Sequence, residues 1–302
     1  MAPKALQAAV KPPASADPAF AALLRDGDLT ALDGACAAAL EQGDDQRLRQ
    51  LQQRLLTMHP APQTLAVVLA NAHGLLSCQA PDGALQVLGR VSPAVGAERS
   101  QWLQLQWRAA QAGLHHELAA EALERLAAGD LARLEGIQLP VAERRDGTPL
   151  TRSALELLAG HLESLGQPQR AAAVLLAGSQ SGPAAAARLA QAVLLFKGLP
   201  AAEQERLLEL ALEQAAAAGS WGLVAQILDQ QLALTGSSPQ ASAQAVERRL
   251  RLSGAIDDAY GEWLLRRRDQ ADLTRQGELE RQLRSPRSPG GHAATHSSET
   301  QP

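Results

Sequence analysis

The sequence predicts an all-α protein assembled from antiparallel helix pairs, and composition and punctuation carry that reading. Of the 302 residues, 61 are Ala and 52 are Leu, a strongly helix-forming choice. Against them stand 11 Val, 3 Ile and aromatic rings at 2% of the chain. That is too few β-branched and ring side chains to build strands over most of this length. A β-sandwich, a barrel and a parallel-sheet enzyme are disfavoured. Pro and Gly then divide the chain at intervals suited to paired helices of roughly 12 to 16 residues, with apolar residues near i, i+3, i+4 and i+7.

In chain order, the pattern predicts helices over Pro18 to Arg25, Leu29 to Glu41, Gln46 to Met58, Thr64 to Ser77, Pro81 to Arg90, Glu98 to Ala112 and His115 to Ala128. A second series covers Thr151 to Leu165, Pro168 to Ala177, Pro183 to Phe196, Ala201 to Ala218, Trp221 to Leu234, Pro239 to Leu252 and Ile256 to Leu283. Residues 139–150, LPVAERRDGTPL, hold two Pro, one Gly and four charges and read as the longest internal loop. They separate N-terminal helices at 18–138 from C-terminal helices at 151–284. Residues 1–17 read as a disordered leader, with a cleaved targeting peptide as the alternative. Residues 285–302 have no large apolar side chain to offset the entropy of ordering them.

The bulk numbers exclude some classes of function. Twenty-eight Lys and Arg against 32 Asp and Glu give a net charge of −4, which argues against a general nucleic-acid binder. No apolar run approaches 18 residues: Leu65 to Leu76 is broken by Asn71 and His73, and Ala184 to Phe196 by Arg188 and Gln191. A membrane span is not expected. Two cysteines, Cys36 and Cys78, cannot make a disulfide framework or a four-thiolate metal site. They read as buried small side chains in a reducing compartment, so the expected location is cytoplasmic.

Stacked helix pairs leave self-similarity at 20 to 50 residues. Leu155, Leu158, Ala159 and Leu162 stripe one helix, Gly166 makes a turn, Ala171 and Leu175 stripe the next helix, and Pro183 closes the unit. Gly43 and Pro60 repeat the separation of seventeen, with Leu32 and Cys36 in the first large and small positions. Trp102, Leu105 and Gly113 repeat the offsets again, and Leu208, Gly219 and Leu228 more faintly. Turns are therefore expected near positions 43, 79, 113, 166 and 219. The loop at 139–150 and the helix at 183–196 fill the two longer steps as insertions. This spacing resembles the tetratricopeptide repeat, best over residues 152–185 and over about half the chain in all. Departures include Gln106 and Leu212 where the repeat wants a small residue, and Leu48 and Leu118 where it wants Ala.

That resemblance implies an α-solenoid, a right-handed superhelix whose concave face is lined by the first helix of each pair and binds a segment of a partner protein. Its lining offsets fall on Trp107, Asp33, Glu41, Glu156, Glu163, Arg206, Glu209 and Glu213, with His73 if a repeat begins at Leu65. The lining is mainly acidic, which suits a basic partner. Trp102 and Trp107 lie about 140° apart on a helix. Trp102 is assigned to the core, leaving Trp107 as a surface anchor. The family's carboxylate-clamp Lys and Asn are missing at these offsets, so chaperone C-termini are not expected ligands.

Catalytic motifs are not found. The three lysines follow Pro3, Val10 and Phe196, so none completes a P-loop. GSQSG at 178–182 centres on Gln180, not a nucleophile. His116 to Ala120 lacks the second His of a zinc helix, so His115, His116 and Glu117 read as a polar helix start. Arg266, Arg267, Arg268, Arg275, Arg281, Arg284 and Arg287 interleave with acids at 257, 258, 262, 269, 272, 278 and 280, as on a solvated helix. The reading is a non-enzymatic scaffold or adaptor with no cofactor and no metal. The alternatives are an all-helical enzyme near His115 and Glu117, or nucleic-acid binding through the terminal arginines.

Overall fold

The computed structural model describes residues 17–58, 62–234, 239–269 and 272–284. The expected leader and tail fall outside them, apart from Asp17. Fifteen α-helices, one 3-10 helix and one two-stranded sheet occur among the described residues. The chain divides into two units, Met1–Asp130 and Leu131–Pro302.

Unit 1 contains α1 (Pro18–Asp26), α2 (Leu29–Gln42), α3 (Asp45–Thr57), α4 (Leu65–Ser77), α5 (Pro81–Leu88), α6 (Ala97–Ala112) and α7 (His116–Ala127). Side-chain oxygens of Asp17, Asp28, Asp44 and Thr64 accept from backbone N–H groups in the first turns of α1 to α4, satisfying donors that a helix start leaves orphaned. Each helix packs on the next, and α2 also packs on α4, and α4 on α6. Leu32, Leu51, Leu55, Val68, Leu75, Leu88 and Leu123 fill the core.

Unit 2 opens with a 3-10 helix (Leu131–Gly136), then β1 (Gln138–Glu143) and β2 (Pro149–Ser153). Eight helices follow: α8 (Ala154–Ser164), α9 (Pro168–Leu176), α10 (Pro183–Leu195), α11 (Ala201–Ala217), α12 (Trp221–Ala233), α13 (Pro239–Ala255), α14 (Ala259–Asp269) and α15 (Leu273–Arg284). Successive helices pack on each other, and α10 also packs on α12. Leu155, Leu158, Leu162 and Leu175 are buried. A further core joins Val193, Leu207, Leu208, Ala211, Ile227, Leu228 and Leu252.

One turn recurs. At Gly43 the N–H of the left-handed residue donates to Leu40 O, and the next N–H, of Asp44, donates to Ala39 O. This is the Schellman closure of a helix. The same two bonds recur around left-handed Gln79, Leu114, Gly166 and Gly219, and its longer bond, Asp258 N to Ser253 O, beside left-handed Asp257. The turn expected at Gly113 is shifted by one residue: Gly113 has φ −85° and Leu114 takes φ +58°.

Three expectations are corrected. Residues 139–150 are not a loop but most of an antiparallel hairpin, in register Gln138 with Ser153 and Glu143 with Pro149. Gly147 at φ +81° and Asp146, accepting from Thr148 N and Oγ1, make its turn. Residues 256–283 are two helices rather than one: left-handed Asp272 stands between α14 and α15, as left-handed Asp257 stands between α13 and α14, a conformation that Asp tolerates. Asp258 and Asp272 then accept from Gly261 N and Arg275 N at the new helix starts. Finally, Cys36 and Cys78 are not separate buried thiols; they form a disulfide.

Candidate functional site

Among the described residues, α11, α12 and α13 of unit 2 line an open groove of about 440 Å³. Small residues form part of its lining: Ala202 on α11, with Ala241 and Ala245 on α13. Its polar lining is Glu205, Arg206 and Glu209 from α11, Gln231 from α12, and Gln244 and Arg248 from α13. Two of the sequence-predicted residues, Arg206 and Glu209, therefore meet here. They share a face because they are three apart on one helix.

The groove's charges are balanced internally. Arg206 donates to Glu203 at 2.7 and 2.9 Å, and this bond holds the Glu203 carboxyl below its ordinary value. Glu209 accepts from Arg248 Nη1 at 2.7 and 2.9 Å and from Gln231 Nε2 at 3.2 Å. The lining is amide-rich and charge-paired, not the acidic strip expected from α11 alone, because α13 brings Arg248 from 39 residues away. Glu213, one turn beyond Glu209, is exposed and lies outside the groove lining.

Glu156 and Glu163 lie on α8, and neither lines the groove. Glu156 sits 3.5 Å from Arg152 Nε. Glu163 accepts from Gln191 of α10 at 2.6 Å. In unit 1, His73 on α4 is close enough to Asp33 on α2 and Arg108 on α6 to feel both charges. Partial desolvation and then Arg108 lower the His73 pKa, against the opposing pull of Asp33. Asp33 and Glu41 are exposed.

Trp107 is not a surface anchor. It is 1% exposed and belongs to the unit 1 core, as does Trp102, whose Nε1 donates to Leu88 O. The narrow-stripe assumption fails because α6 packs on α4, α5 and α7. Its buried residues, Leu105 round to Trp107, sweep roughly 200° of the helix.

Sequence reasoning missed two polar centres in unit 2 that position these helices. The first is a buried ion pair between Glu135 of the 3-10 helix and Arg188 of α10, 3% and 5% exposed. Glu135 Oε2 also accepts from Ser179 N at 2.7 Å and Gln180 N at 3.0 Å. Burial alone would raise the Glu135 carboxyl, but those N–H groups and Arg188 outweigh it and hold it below its ordinary value. The GSQSG segment is thus a cradle for a carboxylate. In the second centre, buried Arg249 of α13 donates to Asp229, Ser253 and Asp258. Nearby, Glu262 of α14 accepts from Arg266 and from Arg275 of α15. The Arg275 bond is the main cause of its lowered pKa.

Arg266, Arg268, Arg275 and Arg284 are engaged by groups of their own unit, and Arg267 lies 5.0 Å over the Trp263 ring. His115 Nε2 pairs with Asp82 Oδ1 at 2.5 Å. No helix of the described residues is long and apolar enough to cross a membrane. No family model matches the chain, and no curated protein matches it.

Proposed function

We propose that this protein is a non-enzymatic scaffold, a diverged tetratricopeptide-like array of helix hairpins, and that the α11–α13 groove of unit 2 holds a segment of a partner protein. The observation that carries the reading is the groove itself. Amide and charged side chains from three helices converge over alanines around about 440 Å³ of space, and two residues of the repeat register, Arg206 and Glu209, are among them. The recurrence of one Schellman-closed turn at 43, 79, 114, 166 and 219 supports the repeat assignment.

Recognition follows from the lining. Gln231 and Gln244 can each offer a donor and an acceptor to an extended peptide backbone. The Glu209–Arg248 pair is about 40% exposed, so it is weakly held and can exchange partners. A basic side chain of the partner would take Glu209, and an acidic one Arg248. Glu213, exposed one turn away, adds a carboxylate for a basic residue flanking the segment.

The test is photo-crosslinking in the native cell with the probe at Gln244, compared with a probe at exposed Gln53 on α3. The reading expects a discrete adduct at 244 that 53 does not give and that Glu209→Lys abolishes. Equal labelling at both positions would refute the groove assignment.

A further inference from the structure

We infer that unit 1 is locked by the Cys36–Cys78 disulfide and that the protein works where protein thiols are oxidised, outside the reducing compartment that two isolated cysteines suggest. Cys36 lies in the middle of α2 and Cys78 caps the end of α4. Both are 0% exposed, and their Cα atoms are 5.1 Å apart, within the range that a bridge spans without moving the backbone. The chain has two cysteines, and both are used. The 42-residue separation encloses all of α3 and α4, so the bond joins the first helix of one hairpin to the first helix of the next.

The surroundings separate a structural bridge from a catalytic or sensing one. Reactive cysteines sit in partly exposed, electropositive places such as helix N-termini. Here Leu32, Leu51, Val68 and Leu75 are core residues of the same helices or of α3 between them. Cys78 stands at the carbonyl end of α4, where the helix dipole opposes a thiolate. A thiol pair in this position has neither access nor activation for redox cycling, so the bridge forms before the core closes and then stays. Formation breaks two S–H bonds and makes one S–S bond. Two successive exchanges pass the two electrons and two protons to the disulfide of a thiol–disulfide oxidoreductase, which leaves as a dithiol. Compartments that sustain that donor are the oxidising ones.

The test uses full-length protein at its native level, acid-quenched in its own cells, then denatured and alkylated with a mass-tagged maleimide before or after reduction. The inference expects no tag before reduction and two after it. Two tags without reduction would overturn it. A second measurement does not depend on any variant folding. In the purified protein, reductant should lower the melting midpoint of unit 1, followed by hydrogen exchange, by more than about 10 °C. In a Cys36→Ala/Cys78→Ala variant, reductant should change nothing. An unchanged midpoint on reducing the wild-type protein would contradict a lock.

Discussion

Units 1 and 2 use the same turn but are held by different chemistry. In unit 1 the buried polar side chain among the described residues is Asn71, donating to Leu55 O at 2.9 Å, and the core is otherwise apolar around a disulfide. Unit 2 buries Glu135, His161, Arg188, Arg249 and Glu262. An apolar core is tolerant about which helix sits where, whereas buried charges are satisfied in one arrangement only. That difference matters here because Ala is abundant at inward positions and Ala faces discriminate poorly between neighbours. We read the unit 2 pairs as devices of register, and the unit 1 disulfide as its covalent counterpart.

The comparison can be broken at its most buried point. Arg188→Ala leaves Glu135 buried with two backbone donors and no counter-charge, and should destabilise unit 2 by about 3 to 5 kcal/mol. Hydrogen exchange read unit by unit should show the loss confined to 131–284. A gentler break is Gly178→Ala. A Cβ there would lie 2.6 Å from Arg188 Nη2, and the guanidinium is clamped, so it cannot swing away. Chemical denaturation should report a loss of about 2 kcal/mol in unit 2.

Acid should sharpen the contrast. Glu135, Asp258 and Glu262 are all held below their ordinary values. Their contribution is complete above the unfolded values of 4.5 and 3.8 and is lost as pH falls through and below them. Unit 1 has the opposite case in His73. Its lowered pKa means that the folded state resists protonation, so a small contribution is lost earlier, as pH falls through 6.5. A pH series of exchange protection should show a shallow step near 6.5 in unit 1, removed by His73→Gln, and a deeper one below 4.5 in unit 2. The smallest effect is a gain: Leu114→Gly relieves a left-handed, exposed Leu and should raise unit 1 stability by about 1 kcal/mol by calorimetry.

Much of the helical layout was legible because Pro, Gly and apolar spacing act locally. Helices at Pro18, Leu29, Pro81, Pro168, Pro183, Ala201, Trp221 and Pro239 begin at those residues. The hairpin at 138–153 was legible too and was misread: Asp146-Gly147 is a strong turn signal, but the charges around it suggested a loop. The remaining departures are non-local. Trp107 is buried because three helices surround α6, which no single-helix pattern reports. Cys36 and Cys78, Glu135 and Arg188, and Glu209 and Arg248 are 42, 53 and 39 residues apart, and only tertiary packing brings them together. For the groove, α11 supplied Arg206 and Glu209 by repeat offset. Arg248 and Gln244 lay beyond the last turn, near Gly219, that the spacing marked.

The groove's role is tested most directly by the affinity of the partner captured at Gln244 for wild-type protein and for Arg248→Met. That variant removes a partly exposed charge and should leave the unfolding free energy within about 0.5 kcal/mol of the wild type. The account predicts affinity about tenfold weaker, equivalent to about 1.4 kcal/mol, by titration calorimetry. Unchanged affinity in a variant of unchanged stability would contradict it.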